Sequence, residues 1–286
     1  MKTNTFSILV GGPACNANCP FCVSKMAKKE SLVPINHERF RTACQIVEQA
    51  RDGLLTVILT GKGEPLLYPK AVSYYLYAMR PWRWPIIELQ TNGLRLLKEF
   101  EEIRNEYLDH WIHAGLTTVS ISTTHWYPSK SSRIMGLPKA YDFWEAAKIA
   151  HEHGLAVKLN VTMVVGGIDS IGEAFVMIDE CKRRGIEQLT LREVVMPTNP
   201  KSDTVSDWIN VHQLPGLATT LHAVFSTQGT KVLSLPNGGV VYDVNGQNVC
   251  VATCLTNSVD ENVRQIIFHP DGRITYDWQY PGARIL

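Results

Sequence analysis

The feature that most limits the fold of this chain is a rhythm. Across the first 195 residues, short apolar runs alternate with segments of helical period. The runs fall at residues 6–10, 54–60, 86–91, 117–123, 155–165 and 188–195, and the pattern predicts helices at 37–51, 70–79, 98–112, 141–153 and 171–184. Residues 54–60 (LLTVILT) are apolar without alternation, as in a strand buried on both faces. In the first helix, Phe40, Ala43, Cys44, Val47 and Ala50 share one face, Asn36 stands at the N-cap position and Gly53 lies just past the end. Repeated βα units imply a parallel sheet with right-handed crossovers. Six units are too few for a closed eight-stranded barrel. The expected fold is therefore α/β, a partial (β/α)6 TIM-like barrel, with a flat doubly wound sheet as the second reading.

The rhythm stops after Val195. Residues 196–210 are rich in Pro, Asn, Ser and Asp and read as a loop, and residues 215–227 read as one more helix. Turn pairs follow at Asn237-Gly238, Asn245-Gly246 and Asp271-Gly272, flanked by β-prone stretches. The expected division is a barrel over residues 1–228 and a small C-terminal β-hairpin extension over 229–286, packed on the barrel.

Of the 286 residues, 45% are hydrophobic and 19% charged, with a formal net charge of +1. That balance allows a sizeable core and gives no signal of a nucleic-acid or membrane surface. The apolar run at 6–10 is too short to span a bilayer and lacks the cleavage site of a signal peptide. A cytoplasmic location is expected. In a reducing compartment the seven cysteines are read as metal ligands or packing residues rather than disulfides.

Cys15, Cys19 and Cys22 stand in the stretch ACNANCPFC, directly after the first strand. Ligands of α/β sheets gather at the carboxyl ends of strands, so the place suits a site. Three readings are open. Apolar packing is disfavoured by the Pro and Asn residues between the cysteines. A structural zinc site wants four ligands, often in paired knuckles, and only His37 offers a distant fourth. A cubane iron–sulfur cluster normally takes four thiolates, so three would leave one iron open. Cys44 and Cys181 lie on apolar helix faces and read as packing residues; Cys250 and Cys254 read as hairpin cysteines facing the core.

The stretch from Cys15 to Cys22 resembles the C-x3-C-x-aromatic-C signature of the radical S-adenosylmethionine (SAM) superfamily, with Phe21 at the aromatic position. Further segments are similar to that family's motifs. Gly61, Lys62, Gly63, Glu64 and Pro65 resemble its GGEP segment, with Lys62 as a departure. Thr91 and Asn92, followed by Gly93, match its TNG turn, and Ser122 matches the serine of an I-S-L-D segment whose last two positions here are Thr123 and Thr124. Asn160 lies in a V-K-x-N strand and Arg192 in the stretch Leu191 to Pro197 (LREVVMP), both similar to segments of MoaA-like members of the superfamily. The three C-terminal cysteines of a second MoaA cluster are not matched.

The resemblance covers residues 6–200 and implies a role for each match. Cys15, Cys19 and Cys22 would bind a [4Fe-4S] cluster whose open iron chelates the amino and carboxylate groups of SAM. Phe21 would lie near the adenine. Residues 61–65, Thr91, Asn92, Ser122, Asn160 and Arg192 would orient SAM, with an internal pair to Glu64 or Glu193 as the alternative for Arg192. Reductive cleavage of SAM would give a 5′-deoxyadenosyl radical that abstracts hydrogen from substrate. A flavodoxin- or ferredoxin-type electron donor is implied, and a small-molecule or nucleotide substrate is the expectation by analogy. Peptide or protein modification, including glycyl-radical activation, is the alternative enzyme reading. A non-enzymatic iron–sulfur protein and a zinc-stabilised binding module are the others. Lys25, Lys28 and Lys29 read as a solvated charge run.

Overall fold

The computed structural model describes residues 2–26, 32–138, 141–196, 200–235, 238–253, 263–278, 280 and 282–286. Lys28, Lys29, Pro197, Asn237 and Cys254 lie outside the described residues. The six expected strands form as β1 (Thr3–Leu9), β2 (Arg51–Thr60), β3 (Ile86–Thr91), β4 (Thr118–Thr123), β5 (Ala156–Met163) and β6 (Gln188–Glu193). They pair in sequence order and all in parallel. Their carboxyl ends therefore lie together at one end of the sheet, which is where the cysteine loop, the Gly61–Pro65 segment and the Thr91–Gly93 turn emerge.

The chain after β6 adds to both edges of this sheet. β7 (Thr230–Ser234), β8 (Val240–Val244) and β9 (Gln247–Thr253) form an antiparallel meander, and β9 pairs in parallel with β6. β10 (Ile266–Phe268) pairs in parallel with β1, and β11 (Ile274–Thr275) folds back on it. The result is one eleven-stranded sheet in the order β11-β10-β1-β2-β3-β4-β5-β6-β9-β8-β7, which does not close.

The intervening helices are α1 (His37–Ala50), α2 (Pro69–Met79), α3 (Asp109–His113), α4 (Pro128–Met135), α5 (Phe143–Glu152) and α6 (Ile171–Arg183), followed by α7 (Asp203–His212) and α8 (Leu217–Gln228). α3 is entered through a π-helical stretch, Ile103–Leu108. Residues Val57, Leu59, Leu89, Val119, Ile121, Val157, Leu159, Leu189 and Leu191 pack under the helices in the main core. Side chains alternate across a strand, so their neighbours form the opposite, inner face. That face is polar: Glu88, Gln90, Ser120, Ser122, Lys158, Asn160, Thr190 and Arg192. A barrel interior filled for stability is dominated by Val, Ile and Leu, so this lumen is built for something other than packing. Among the described residues no helix is long and apolar enough to cross a membrane.

Two elements depart from the expectations. Most of the stretch 196–210, read as loop, belongs to α7, whose Val205 and Ile209 bury against Val164 and Val194 at the ends of β5 and β6. Residues 128–135, between β4 and α5, form α4, with Pro128 in its first turn and Gly136 ending it in the left-handed conformation (φ 61°).

Candidate functional site

The cysteine loop is held by its neighbours rather than by its own secondary structure. Backbone Asn18 N–H and the Cys19 thiol both donate to the Met135 carbonyl at the end of α4, at 3.0 and 3.4 Å. Lys25 Nζ reaches back to Asn18 Oδ1 (2.7 Å) and to the Cys19 carbonyl (2.8 Å). Lys25, itself exposed, thus staples the loop. The three thiols are free. Burial, then the charges of Cys22 and Cys15, push the Cys19 thiol up to about 12, and burial raises Cys15 as well. A bound metal would hold cysteines as thiolates. Among the described residues, no three His, Cys, Asp or Glu side chains converge on a single ion. A cubane does not ask for that convergence, because each thiolate binds a different iron.

The Gly61–Pro65 segment locks onto this loop. A Cβ on Gly63 would lie 2.0 Å from the Ala14 carbonyl oxygen and 2.7 Å from that of Gly12. Glycine is required there by the close approach of two backbones, and Glu64 N–H donates to the same Ala14 carbonyl at 2.9 Å. The Glu64 carboxylate turns inward. One oxygen accepts from Leu66 N–H (3.0 Å) and the Thr91 hydroxyl (2.5 Å), and the other from Asn92 N–H (2.9 Å). Burial raises its pKa, and the donors from Asn92, Thr91 and Leu66 oppose that rise. Sequence reasoning placed Glu64 in a ligand-facing motif; its side chain ties the end of β2 to the end of β3.

The lumen holds the rest. In register across four strands lie Ser122, Asn160, Thr190 and Cys250. Deeper, Lys158 pairs with Glu88 at 3.0 Å, and Gln90 donates to the same carboxylate at 2.9 Å. Burial alone would raise Glu88, but the Lys158 charge and these hydrogen bonds, with Arg192 farther off, bring it net below the ordinary carboxyl value. Arg192 has neither Glu64 nor Glu193 as partner: Glu64 is saturated by other donors, and Glu193 points to the helix face, where it accepts from Ala218 N–H at 3.5 Å. Two cations therefore face one carboxylate. The Asn160 Oδ1 and Ser120 Oγ atoms are buried without a hydrogen-bond partner. Cys250 is buried, in register with Thr190, and close enough to Lys158 and Arg192 to feel their charges. Sequence reasoning missed Glu88, Gln90, Ser120 and Lys158; the signal available was their alternation with the apolar residues of the same strands.

Phe21 packs against Trp208 of α7 (ring centroids 5.6 Å apart), and Trp208 stacks in parallel on His212 at 4.0 Å. This aromatic wall escaped notice because α7 was read as loop. Between residues 32–35 and the start of α2 opens a groove of about 690 Å³, lined by Gly11, Leu32, Ile35, Tyr68 and Tyr107 among others.

Comparison by sequence with curated proteins gives no match. Solved structures match in fold. Streptococcus suis SuiB bound to S-adenosylmethionine aligns with a TM-score of 0.60 at 15% identity, covering 98% of this chain and 61% of SuiB. The protein anSMEcpe with bound AdoMet aligns with a TM-score of 0.58 at 13% identity, covering 100% of this chain and 74% of that one. The chain thus spans about three fifths of the length of SuiB. Residues 9–181, more than half of the chain, match the family described as the radical SAM superfamily. With the cysteine loop at the carboxyl end of an open parallel barrel and a family match that runs from the end of β1 into α6, the chain belongs to the radical SAM superfamily, whose members bind a [4Fe-4S] cluster and S-adenosylmethionine.

Proposed function

We propose that this chain is a radical SAM enzyme acting on a small polar molecule or nucleotide held in the barrel lumen. Cys15, Cys19 and Cys22 hold the cluster, and the donor set suits it: three thiols on one loop, set for three separate metals. A cluster held there would supply the one-electron reduction that breaks the S–C5′ bond of SAM, releasing methionine and leaving the 5′-deoxyadenosyl group to take a hydrogen atom from a substrate C–H bond. Every other part of the work is positioning.

The observation that carries the reading is a pair of unmet groups on neighbouring strands of the lumen, two residues apart in register. Asn160 Oδ1 is buried with no donor, and Arg192, on the same face, has no ion-pair partner among the described residues. Buried polar groups are nearly always paired, and SAM carries what these two lack: ribose hydroxyls for Asn160 and a carboxylate for Arg192. Ser122, in register with Asn160, adds a hydroxyl to that row. The backbone of Gly61, Lys62 and Gly63, held by Glu64 and Pro65, offers carbonyls to the methionine ammonium. Phe21, seated on Trp208, offers the adenine an apolar edge. Thr91 and Asn92 support these groups from behind. Below them Gln90, Ser120, Lys158 and Glu88 suit a substrate rich in hydroxyls, amides or an anionic group.

A second reading, peptide modification, is favoured by the groove at the start of α2, whose volume of about 690 Å³ is ample for several side chains. SuiB has been crystallised with its precursor peptide SuiA, and anSMEcpe with the Cp18Cys peptide. A low-potential flavodoxin- or ferredoxin-type protein is the proposed electron donor in either case.

Anaerobic reconstitution followed by dithionite and SAM tests the reading. Release of 5′-deoxyadenosine is expected from the wild type and is expected to vanish in Cys15→Ala, Cys19→Ala and Cys22→Ala. Persistence in any of the three would overturn the ligand assignment. Deuterium transfer into 5′-deoxyadenosine from labelled nucleotides and small polar molecules, but not from labelled peptides, is the result that favours the lumen over the groove.

A further inference from the structure

Asn92 has almost every polar group committed. Its backbone N–H donates to Glu64 Oε2 at 2.9 Å, its backbone carbonyl accepts from the Tyr141 hydroxyl, and its Oδ1 accepts from Leu94 N–H at 3.0 Å. Glu64 is itself fixed by Thr91 and Leu66. Gly93 adopts φ +80°, and a Cβ there would lie 2.6 Å from the Tyr141 hydroxyl, so the turn admits that clamp only with glycine. The side chain is 6% exposed. What remains is Nδ2, whose orientation is settled by the acceptor role of Oδ1. One of its N–H bonds goes to Asn16 Oδ1 at 2.6 Å, and the nitrogen stands 4.0 Å from Cys15 Sγ. Cys15 Sγ also accepts from Ala17 N–H at 3.4 Å.

We infer that Asn92 is a positioning residue for the cluster's electron affinity, donating an amide N–H to the Cys15 thiolate. The inference rests on the proposed role of Cys15 as an iron ligand. Hydrogen bonds to cluster sulfurs help set the reduction potential. One-electron reduction adds negative charge to the cluster and its thiolates, and a donor aimed at a sulfur stabilises that charge. Asn92 therefore favours the reduced form and raises the potential. The electron comes from a one-electron donor such as dithionite, and no bond to Asn92 forms or breaks. Among the three cysteines, Cys15 alone receives a side-chain N–H within the described residues, so the effect is local to one corner of the cluster.

The test is an EPR-monitored redox titration of the reconstituted full chain without SAM. Two variants keep an acceptor for Leu94 N–H and lose the N–H toward Cys15: Asn92→Ser, which is neutral, and Asn92→Asp, which is nearly isosteric and adds charge. Both are expected to shift the reduction equilibrium several-fold toward the oxidised cluster, Asn92→Asp the more, with iron and sulfide content unchanged. A potential in Asn92→Ser equal to that of the wild type, or a shift only in Asn92→Asp, would overturn the inference. A wild type without an EPR-active four-iron cluster would instead sink the proposed function itself, so the two failures are distinguishable.

Discussion

Glu64 shows how much one buried residue can organise. It joins three donors from two strand ends on a single carboxylate, and an unsatisfied buried donor costs about 1–3 kcal/mol. Glu64→Ala is expected to lower stability by about 3 kcal/mol or more, read as a fall in urea midpoint at constant slope. Glu64→Gln, which keeps one carbonyl oxygen, is expected to lose less. Gly63→Ala is expected to abolish iron loading although it removes no ligand, because a Cβ 2.0 Å from the Ala14 carbonyl meets backbone that cannot yield; iron analysis after reconstitution decides. The motif that holds both residues was legible in the sequence. The inward turn of the Glu64 side chain was not, because its partners Thr91 and Asn92 lie 27 and 28 residues away.

At the scale of elements, α7 and the β3–β5 pair carry the predictions. α7 is capped at its N-terminus by Ser202, whose hydroxyl accepts from Val205 N–H at 3.5 Å. Ser202→Ala is expected to cost about 1 kcal/mol and to loosen Trp208 from Phe21, visible as a change in tryptophan fluorescence. The sequence hid this helix because Ser, Asp and Asn favour caps and turns; what makes it fold is burial against the ends of β5 and β6, a contact no local pattern carries. Lys158 and Glu88 form a pair with side chains 18% and 4% exposed. Breaking it with Lys158→Met is expected to cost about 3–5 kcal/mol at neutral pH. Glu88 in the folded chain lies below its ordinary value. Its contribution to wild-type stability is therefore present above the ordinary carboxyl pKa and is lost as pH falls through the folded one. In Lys158→Met the orphan carboxylate is expected to protonate more readily, so the deficit against wild type should shrink as pH falls toward 4. A pH series of denaturation midpoints checks the sign, and a deficit independent of pH would contradict it.

For the whole molecule, the six-fold βα rhythm made the parallel sheet legible, since a strand buried on one face by helices has a readable period. The turn at Asn245-Gly246 was legible too, and both residues adopt positive φ there (54° and 83°). The closing of β9 onto β6 and of β10 onto β1 was not, because parallel pairing between distant segments leaves no local trace. Nor was the polar lumen recognised, although it follows from alternation once the strands are placed. The lumen and the cysteine loop meet at the carboxyl ends of the strands, and the central claim is that they share one ligand, bound to metal at one end and to Asn160 and Arg192 at the other. Mössbauer spectroscopy of protein reconstituted with iron-57 tests this most directly. Addition of SAM is expected to shift the signal of one iron in four and leave three unchanged, and in Arg192→Ala the shift should require a higher SAM concentration. Four irons indifferent to SAM, or a preparation that holds zinc in place of iron, would contradict the account.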